Sequence, residues 1–251
     1  MKIGFLSDIH EDVNSLQKAF GLLEHENVDS IICLGDIIGF TLPFSKNISD
    51  RDANKCIGLI KANCSNVIIG NHDLFALKKT PKFTSGFNYG EDWYSLDYEK
   101  RSKLARKKIW LYEDSEIPSI LTDESKEYLN GLDEYAVVQC GEINIFISHF
   151  CFPDFSGSSI FFPEQPFHLK KHFEFTQNLN CMISFSGHGH PEGCVLTDED
   201  KLSLLNFGEH KINSNKFWAV APCVANTSRK NGVLIFDSNN FTIRILQLNS
   251  I

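Results

Sequence analysis

Asp8 and His10, Asp36, Asn71 and His72, His149, and His188 and His190 each stand just after an apolar run of this chain. Together they offer carboxylate, amide and imidazole donors. A mixed oxygen and nitrogen set of this kind suits Mn²⁺, Fe²⁺, Zn²⁺ or Co²⁺, and suits Mg²⁺ less well. It holds too many donors for a single tetrahedral zinc with an open position. It fits two ions sharing one bridging carboxylate. A pair of ions about 3.5–4 Å apart clamps a phosphoryl group and lowers the pKa of a water between them. Glycines precede Asp36, Asn71 and His188 and separate His188 from His190, so the backbone can turn sharply beside the donors. Singly, each residue has a plainer reading. Asp36 could cap a turn, Asn71-His72 could be turn residues, and His188 and His190 could be surface histidines before Pro191.

Strands must deliver these residues to one edge. Lys2–Leu6, Ser30–Leu34 and Asn66–Ile69 read as buried strands. Val13, Leu16, Phe20 and Leu23 recur at helical spacing after the first, and a helix over roughly 52–62 follows the second. Three strand-loop-helix units in succession predict a mainly parallel sheet with right-handed crossovers, and functional loops at the carboxyl ends of its strands. Tyr135–Cys140 and Ile143–Ser148 read as a hairpin that carries His149 at its end, and Met182–Ser186 as the strand before His188. Five later strands are expected at Gly193–Thr197, Leu202–Asn206, Phe217–Ala221, Gly232–Asp237 and Phe241–Leu248, and a helix at Phe167–Asn178. Residues 78–133 break the rhythm and read as a cap inserted into a single domain spanning 1–251. Within it, helices are expected at Tyr98–Tyr112 and at Glu124–Leu132, with Thr122 as N-cap.

Hydrophobic residues make up 42% of the 251, enough for a substantial core, and the net charge is -8. That balance argues against stable binding to nucleic acid or to an anionic membrane. No apolar stretch reaches the length of about 18 residues that a membrane span needs, and no secretory signal is read at the amino terminus. The eight cysteines are scattered without a C-x-x-C pair, and Cys33, Cys140 and Cys181 sit in apolar runs. A reduced, cytoplasmic protein is therefore expected.

The series Asp8-x-His10, Gly35-Asp36-x-x-Gly39, Gly70-Asn71-His72-Asp73, His149 and Gly187-His188-x-His190 resembles the five blocks of the calcineurin-like metallophosphoesterase superfamily, in order, over residues 1 to about 236. The resemblance implies an α/β fold, a four-layer α/β/β/α sandwich of two mixed sheets. It implies that Asp8, His10 and His190 bind one metal, that Asn71, His149 and His188 bind a second, and that Asp36 bridges. His72 would face the scissile ester as general acid or transition-state stabiliser, and Asp73 would orient His72 or support the site. The nucleophile would be a hydroxide bridging the metals, with no covalent enzyme intermediate.

The residues after Asp36 narrow the substrate class. Protein phosphatases of the superfamily carry an arginine there, whereas this chain has Ile37-Ile38-Gly39-Phe40. The stretch Gly35-Asp36-Ile37-Ile38-Gly39-Phe40-Thr41-Leu42-Pro43 is similar to the compact prokaryotic branch of phosphodiesterases and diadenosine-tetraphosphatase-like hydrolases. That resemblance implies a small phosphorylated substrate of nucleotide type. A phosphomonoesterase or phosphoprotein phosphatase, and a non-catalytic metal-binding scaffold, remain the alternatives. Two departures bear on the substrate. Glu11-Asp12 replaces a Gly-Asn pair and is expected to bring negative charge near the site, and Ala221-Pro222-Cys223-Val224 replaces an Asn-Pro-Gly-Ser stretch. The aromatics Phe83 to Tyr98 and the basic residues Lys100 to Lys108 could stack a base and hold distal phosphates. They read also as a packed cap and a solvated helix face, the reading favoured here. His25 and His210 read as surface residues. His168 and His172, four apart, read as a surface pair that could reach substrate.

Overall fold

The computed structural model describes residues 1–42, 44–46 and 48–248; Pro43, the last residue of the stretch after Asp36, lies outside the described residues. The strands are β1 (Lys2–Leu6), β2 (Ser30–Cys33), β3 (Phe40–Thr41), β4 (Asn66–Val67), β5 (Glu116–Ile117), β6 (Tyr135–Cys140), β7 (Ile143–Ser148), β8 (Ile183–Ser186), β9 (Cys194–Thr197), β10 (Leu202–Leu205), β11 (Gly208–Lys211), β12 (Phe217–Val220), β13 (Gly232–Asp237) and β14 (Thr242–Gln247). The helices are α1 (Val13–His25), α2 (Ala53–Asn63), α3 (Asn71–Ala76), α4 (Tyr98–Ala105), α5 (Asp123–Asn130) and α6 (Lys170–Asn178).

One six-stranded sheet runs β11-β14-β13-β1-β2-β4, and a second runs β10-β9-β12-β8-β7-β6. In the first, β1, β2 and β4 are parallel; in the second, β7, β8 and β12 are parallel. Antiparallel strands complete both sheets, which are therefore mixed. The strand period of two sorts the side chains. Ile3 and Phe5 of β1, Leu234 and Phe236 of β13, Ile145 and Ile147 of β7, and Ile183 and Phe185 of β8 fill the space between the sheets. Phe5 and Phe185 stack there with ring centroids 4.3 Å apart. The opposite faces take the helices. Leu16, Leu23, Ile57, Ile60 and Leu129 of α1, α2 and α5 pack on Val233 and Ile235, while Phe173 of α6 packs on Trp218 and Val220. The four layers are thus α/β/β/α. Among the described residues, no helix is long and apolar enough to cross a membrane.

Residues 78–133 hold less helix than their sequence suggests. The helix expected at Tyr98–Tyr112 stops at Ala105. Lys107 takes a left-handed φ of 59°, and the next residues pair instead with the loop after His149, through Trp110 N to Ser158 O (2.9 Å) and Ile160 N to Lys108 O (3.1 Å). Ladder bonds to a distant segment outweigh the local helical pattern there. Two short strands, β3 and β5, pair with each other and fasten this segment to the loop after Asp36. The third strand is also shorter than expected: only Asn66–Val67 pairs with β2, and Ile68 bridges to Asp133. The edge strand β11 has no apolar alternation to announce it.

Phe185 is fully buried between the sheets. Phe185→Ala should therefore cost about 3–5 kcal/mol in a urea unfolding titration, the range for deleting a core aromatic; a loss below about 1 kcal/mol would mean that the sheets close over the gap.

Candidate metal centre

Both sheets end at one seam. Asp8 follows β1 and its carboxylate accepts from the backbone of His188, beyond β8, at 3.1 and 3.2 Å. His149 follows β7, and its Nδ1 donates to the Leu34 carbonyl beyond β2 at 2.6 Å. The turns are tight. Asp8, His10, Asp36, His188 and His190 all take left-handed backbone, with φ of 56°, 47°, 52°, 62° and 45°. Asp and His visit that region more readily than most residues, yet five together mark stored strain. Gly70 lets Asp36 lie against the neighbouring loop: a Cβ there would stand 2.2 Å from Asp36 Oδ1.

The ligand atoms of Asp8, His10 and His190 gather within 4.8 Å of one another, as do those of Asp36, His149 and His188. A third group of this kind joins His10, Asp36 and His72. Hydrogen bonds elsewhere fix which atoms face inward. His10 Nδ1 is held by the Gly39 carbonyl at 2.7 Å, so Nε2 presents its lone pair to His190 Nε2 at 3.3 Å. Asn71 Nδ2 meets the Tyr112 hydroxyl at 2.6 Å, which turns Oδ1 inward. Asn71 Oδ1, His149 Nε2 and His188 Nε2 are buried and make no hydrogen bond, although His149 Nε2 lies 3.0 Å from Asp36 Oδ2. Acceptors brought this close need a shared cation or a proton between them, and buried orphans of this kind are costly otherwise. The donor set therefore fits divalent metal.

Charge follows the same geometry. Burial opposes ionisation of Asp8 and Asp36, but the surrounding imidazoles outweigh it and hold both carboxyls well below the usual range. Burial pushes His10 and His188 down to about 3, so both are neutral donors. His149 goes the other way: Asp36 and Asp8 overcome burial and raise it to about 9.

His72 sits beside this group, its backbone N donating to Asp36 Oδ1 at 2.9 Å. Its ring Nδ1 lies 2.6 Å from Glu116 Oε2, a carboxylate only 7% exposed. Asp36 and Glu116 raise the His72 pKa against the effect of burial. Asp73 is not the partner of that ring. Its carboxylate accepts from Ile37 N (3.0 Å), Ile38 N (3.1 Å) and Gly70 N (3.0 Å), and so ties the loop after β2 to the start of α3. Its part is to support the loops.

A cleft of about 620 Å³ opens over these residues, lined also by Phe44, Trp110, Phe162 and Arg229. The calcineurin-like phosphoesterase superfamily domain matches residues 1–227. The chain belongs to that superfamily. Metal-dependent hydrolysis of phosphoesters is accordingly its general chemistry. MJ0912 of Methanocaldococcus jannaschii, an uncharacterized protein, is 24% identical, over 98% of this chain and 86% of its own length. The crystal structure of a metallophosphoesterase from Sphaerobacter thermophilus has a TM-score of 0.65 at 17% identity, covering 100% of this chain and 89% of that one. Hypothetical protein PH1004 from Pyrococcus horikoshii OT3 has a TM-score of 0.62 at 14% identity, covering 100% and 88%. Both share this phosphoesterase fold.

Several features were not visible in the phosphoesterase motifs. Glu116 and Tyr112 come from residues 78–133 and reach His72 and Asn71 only through the fold. Glu11 and Asp12 do not add charge to the cleft. Glu11 is buried against the Arg51 guanidinium and the Ser119 hydroxyl and accepts from Gly39 N at 3.2 Å. Asp12 caps α1 by accepting from Ser15 N at 2.9 Å. His172 is a core residue, bonded to Phe152 N and Ser184 Oγ at 3.0 and 2.8 Å, and neither it nor His168 lines the cleft. His25 is exposed, and His210 is only partly buried, its Nε2 bonded to Asn206 O. Phe87, Tyr89 and Trp93 pack on one another, and Phe83 packs on Phe155, and none of them lines the cleft.

His149 and His190 both hold their protons more tightly than a free imidazole. Metal must displace those protons, so affinity should climb with pH below about 9, by about one to two log units per pH unit. Competition titration with a metal indicator between pH 6 and 9 measures the slope; a flat profile would remove these histidines from the ligand set. Arg51→Ala leaves Glu11 buried and unpaired, and should cost about 3–5 kcal/mol of unfolding free energy.

Proposed function

We propose that the protein is a dinuclear metal-dependent hydrolase of phosphoester or phosphoanhydride bonds in a small nucleotide-type substrate, and that it works as one domain capped by residues 78–133. The observation that carries this reading is the convergence of bare acceptors from both sheets on one side of a cleft, with the His72 ring beside them. In this reading Asp8, His10 and His190 hold one ion and Asn71, His149 and His188 the other. Asp36 lies between, since it groups both with His149 and His188 and with His10. Manganese, iron, zinc or cobalt suits these donors better than magnesium. Bound there, such ions offset phosphoryl charge and lower the pKa of water.

The chain's own residues do the rest. Glu116 engages His72 Nδ1, which leaves Nε2 for the oxygen that departs from phosphorus. Holding that proton in place assists departure by general acid catalysis. Asp73 fixes the loop on which His72 rides. Tyr112 stands over the His72 ring with centroids 4.4 Å apart and keeps the Asn71 amide oriented. Phe44, Trp110 and Phe162 line the cleft while 59%, 43% and 42% exposed, and such faces stack readily on a nucleobase. The eight unpaired cysteines fit a reducing compartment such as the cytoplasm.

Bound metal should be measured, and a model diester, a monoester, diadenosine tetraphosphate and a phosphopeptide assayed with added Mn²⁺. Turnover of the diester or the dinucleotide is expected. Phosphopeptide preference would favour a protein phosphatase, and a full metal site without turnover would favour a scaffold. His72→Ala should keep its metal and lose about 10²–10⁴ in kcat. Loss of metal in that variant would instead place His72 among the ligands. Asp36→Asn should lower the metal content of both sites.

A further inference from the structure

The stretch after Asp36 lacks the arginine that would clamp a phosphate, yet the cleft contains one. Arg229 comes from the loop between β12 and β13, far along the chain, and is the one Lys or Arg among the described residues lining the cleft. Three other arginines, Arg51, Arg101 and Arg244, are matched to glutamates. Arg229 differs. Its Nη1 donates to the backbone carbonyl of His190 at 3.0 Å, and its own backbone N donates to the buried Thr227 hydroxyl at 3.1 Å. One edge of the guanidinium is thereby tied to a residue of the metal centre. Its remaining donors and its charge have no carboxylate partner among the described residues.

The geometry points to Arg229, with Ser228 also lining the cleft, as the subsite for a second phosphate, so that the preferred substrate carries a phosphoanhydride chain and not a single isolated phosphodiester. This assignment rests on the proposed function and names the substrate class of that same cleft. The scissile phosphoryl group meets its compensating charge at the ligand cluster. A planar, permanently charged fork held at the rim through His190 O is suited to the oxygens of the next phosphate along. The cleft, about 620 Å³, is larger than one phosphoryl group requires, and Trp110 and Phe162 give the attached base an apolar wall.

Binding separates this idea from the activity it rests on. Imidodiphosphate, which resists hydrolysis, and orthophosphate would each be titrated calorimetrically into the Mn²⁺-loaded wild type, Arg229→Ala and Arg229→Lys, with metal content measured in parallel. The wild type should prefer imidodiphosphate, and Arg229→Ala should reduce that preference about 10–50-fold. Arg229→Lys, which keeps the charge without the fork, should fall between. An unchanged preference in Arg229→Ala, or an equal loss for both ligands, would overturn the assignment. Loss of metal from Arg229→Ala would overturn it too, because Arg229 would then act only as a support for His190. Assay of the wild type on the model diester and on diadenosine tetraphosphate tests the hydrolase reading separately: turnover of either with no effect at Arg229 refutes the subsite alone, while turnover of neither refutes the hydrolase and leaves the binding comparison to decide the subsite.

Discussion

Acceptors face acceptors where the two sheets end, and the rest of the structure is arranged to hold them there. His10 Nε2 stands 3.3 Å from His190 Nε2, and His149 Nε2 stands 3.0 Å from Asp36 Oδ2. Left to themselves such groups would turn away and find water. They are prevented by bonds at their far sides: Gly39 O and Leu34 O take the Nδ1 protons of His10 and His149, and Tyr112 takes the Asn71 amide. Five residues at the seam also hold left-handed backbone, at about 1–3 kcal/mol apiece. The close packing of Phe5 on Phe185 and its neighbours supplies the rigid base against which that strain persists. A cation entering the seam gains more for this reason, since the ordering of its ligands precedes its arrival.

The segment 78–133 belongs to the same arrangement. Tyr112 orients Asn71, Glu116 engages His72, and Ser119 joins Arg51 in holding Glu11. Arg51 also donates to Ile117 O and Pro118 O at 3.1 and 2.6 Å, so one guanidinium knits the loop after β1, the approach to α2 and the end of β5. The pairing of β3 with β5 adds a backbone link at the same place. Movement of this segment would alter the metal centre and the proton on His72 together.

Placement that follows from local pattern was legible in the sequence. Every expected ligand stands at the end of an apolar run, and apolar runs of this length become strands whose ends converge once two sheets stack. Most strands, α1, α2 and the hairpin of β6 and β7 follow from that pattern; it predicts a mainly parallel sheet, whereas the division into two mixed sheets was implied by the family resemblance. What failed depended on distant partners. Glu116 and Arg229 sit in stretches without periodicity, Tyr112 closes a stretch whose pattern reads as helix, and only tertiary contact reveals the part of each. The helix expected to Tyr112 lost to ladder bonds with residues near Ser158. The charge of Glu11 reads in the sequence as facing substrate because its neutralising partner, Arg51, is forty positions away. His172 resembled a surface histidine, yet burial holds it neutral at about 3, where its two nitrogens serve as core hydrogen-bonding groups.

These contacts also resolve how a chain of net charge -8 can receive an anion. Long-range attraction works against it, so affinity must be generated at short range. The acidic groups nearest the cleft are already compensated: Glu11 by Arg51, Glu116 by the His72 proton, Asp73 by three backbone donors. Asp8 and Asp36 remain ionised, and their charge draws in divalent cations that reverse the sign of the local field. A phosphate then meets positive charge within the cleft itself. The surplus of acid that opposes long-range attraction of an anion is thus the same surplus that makes the metal centre possible.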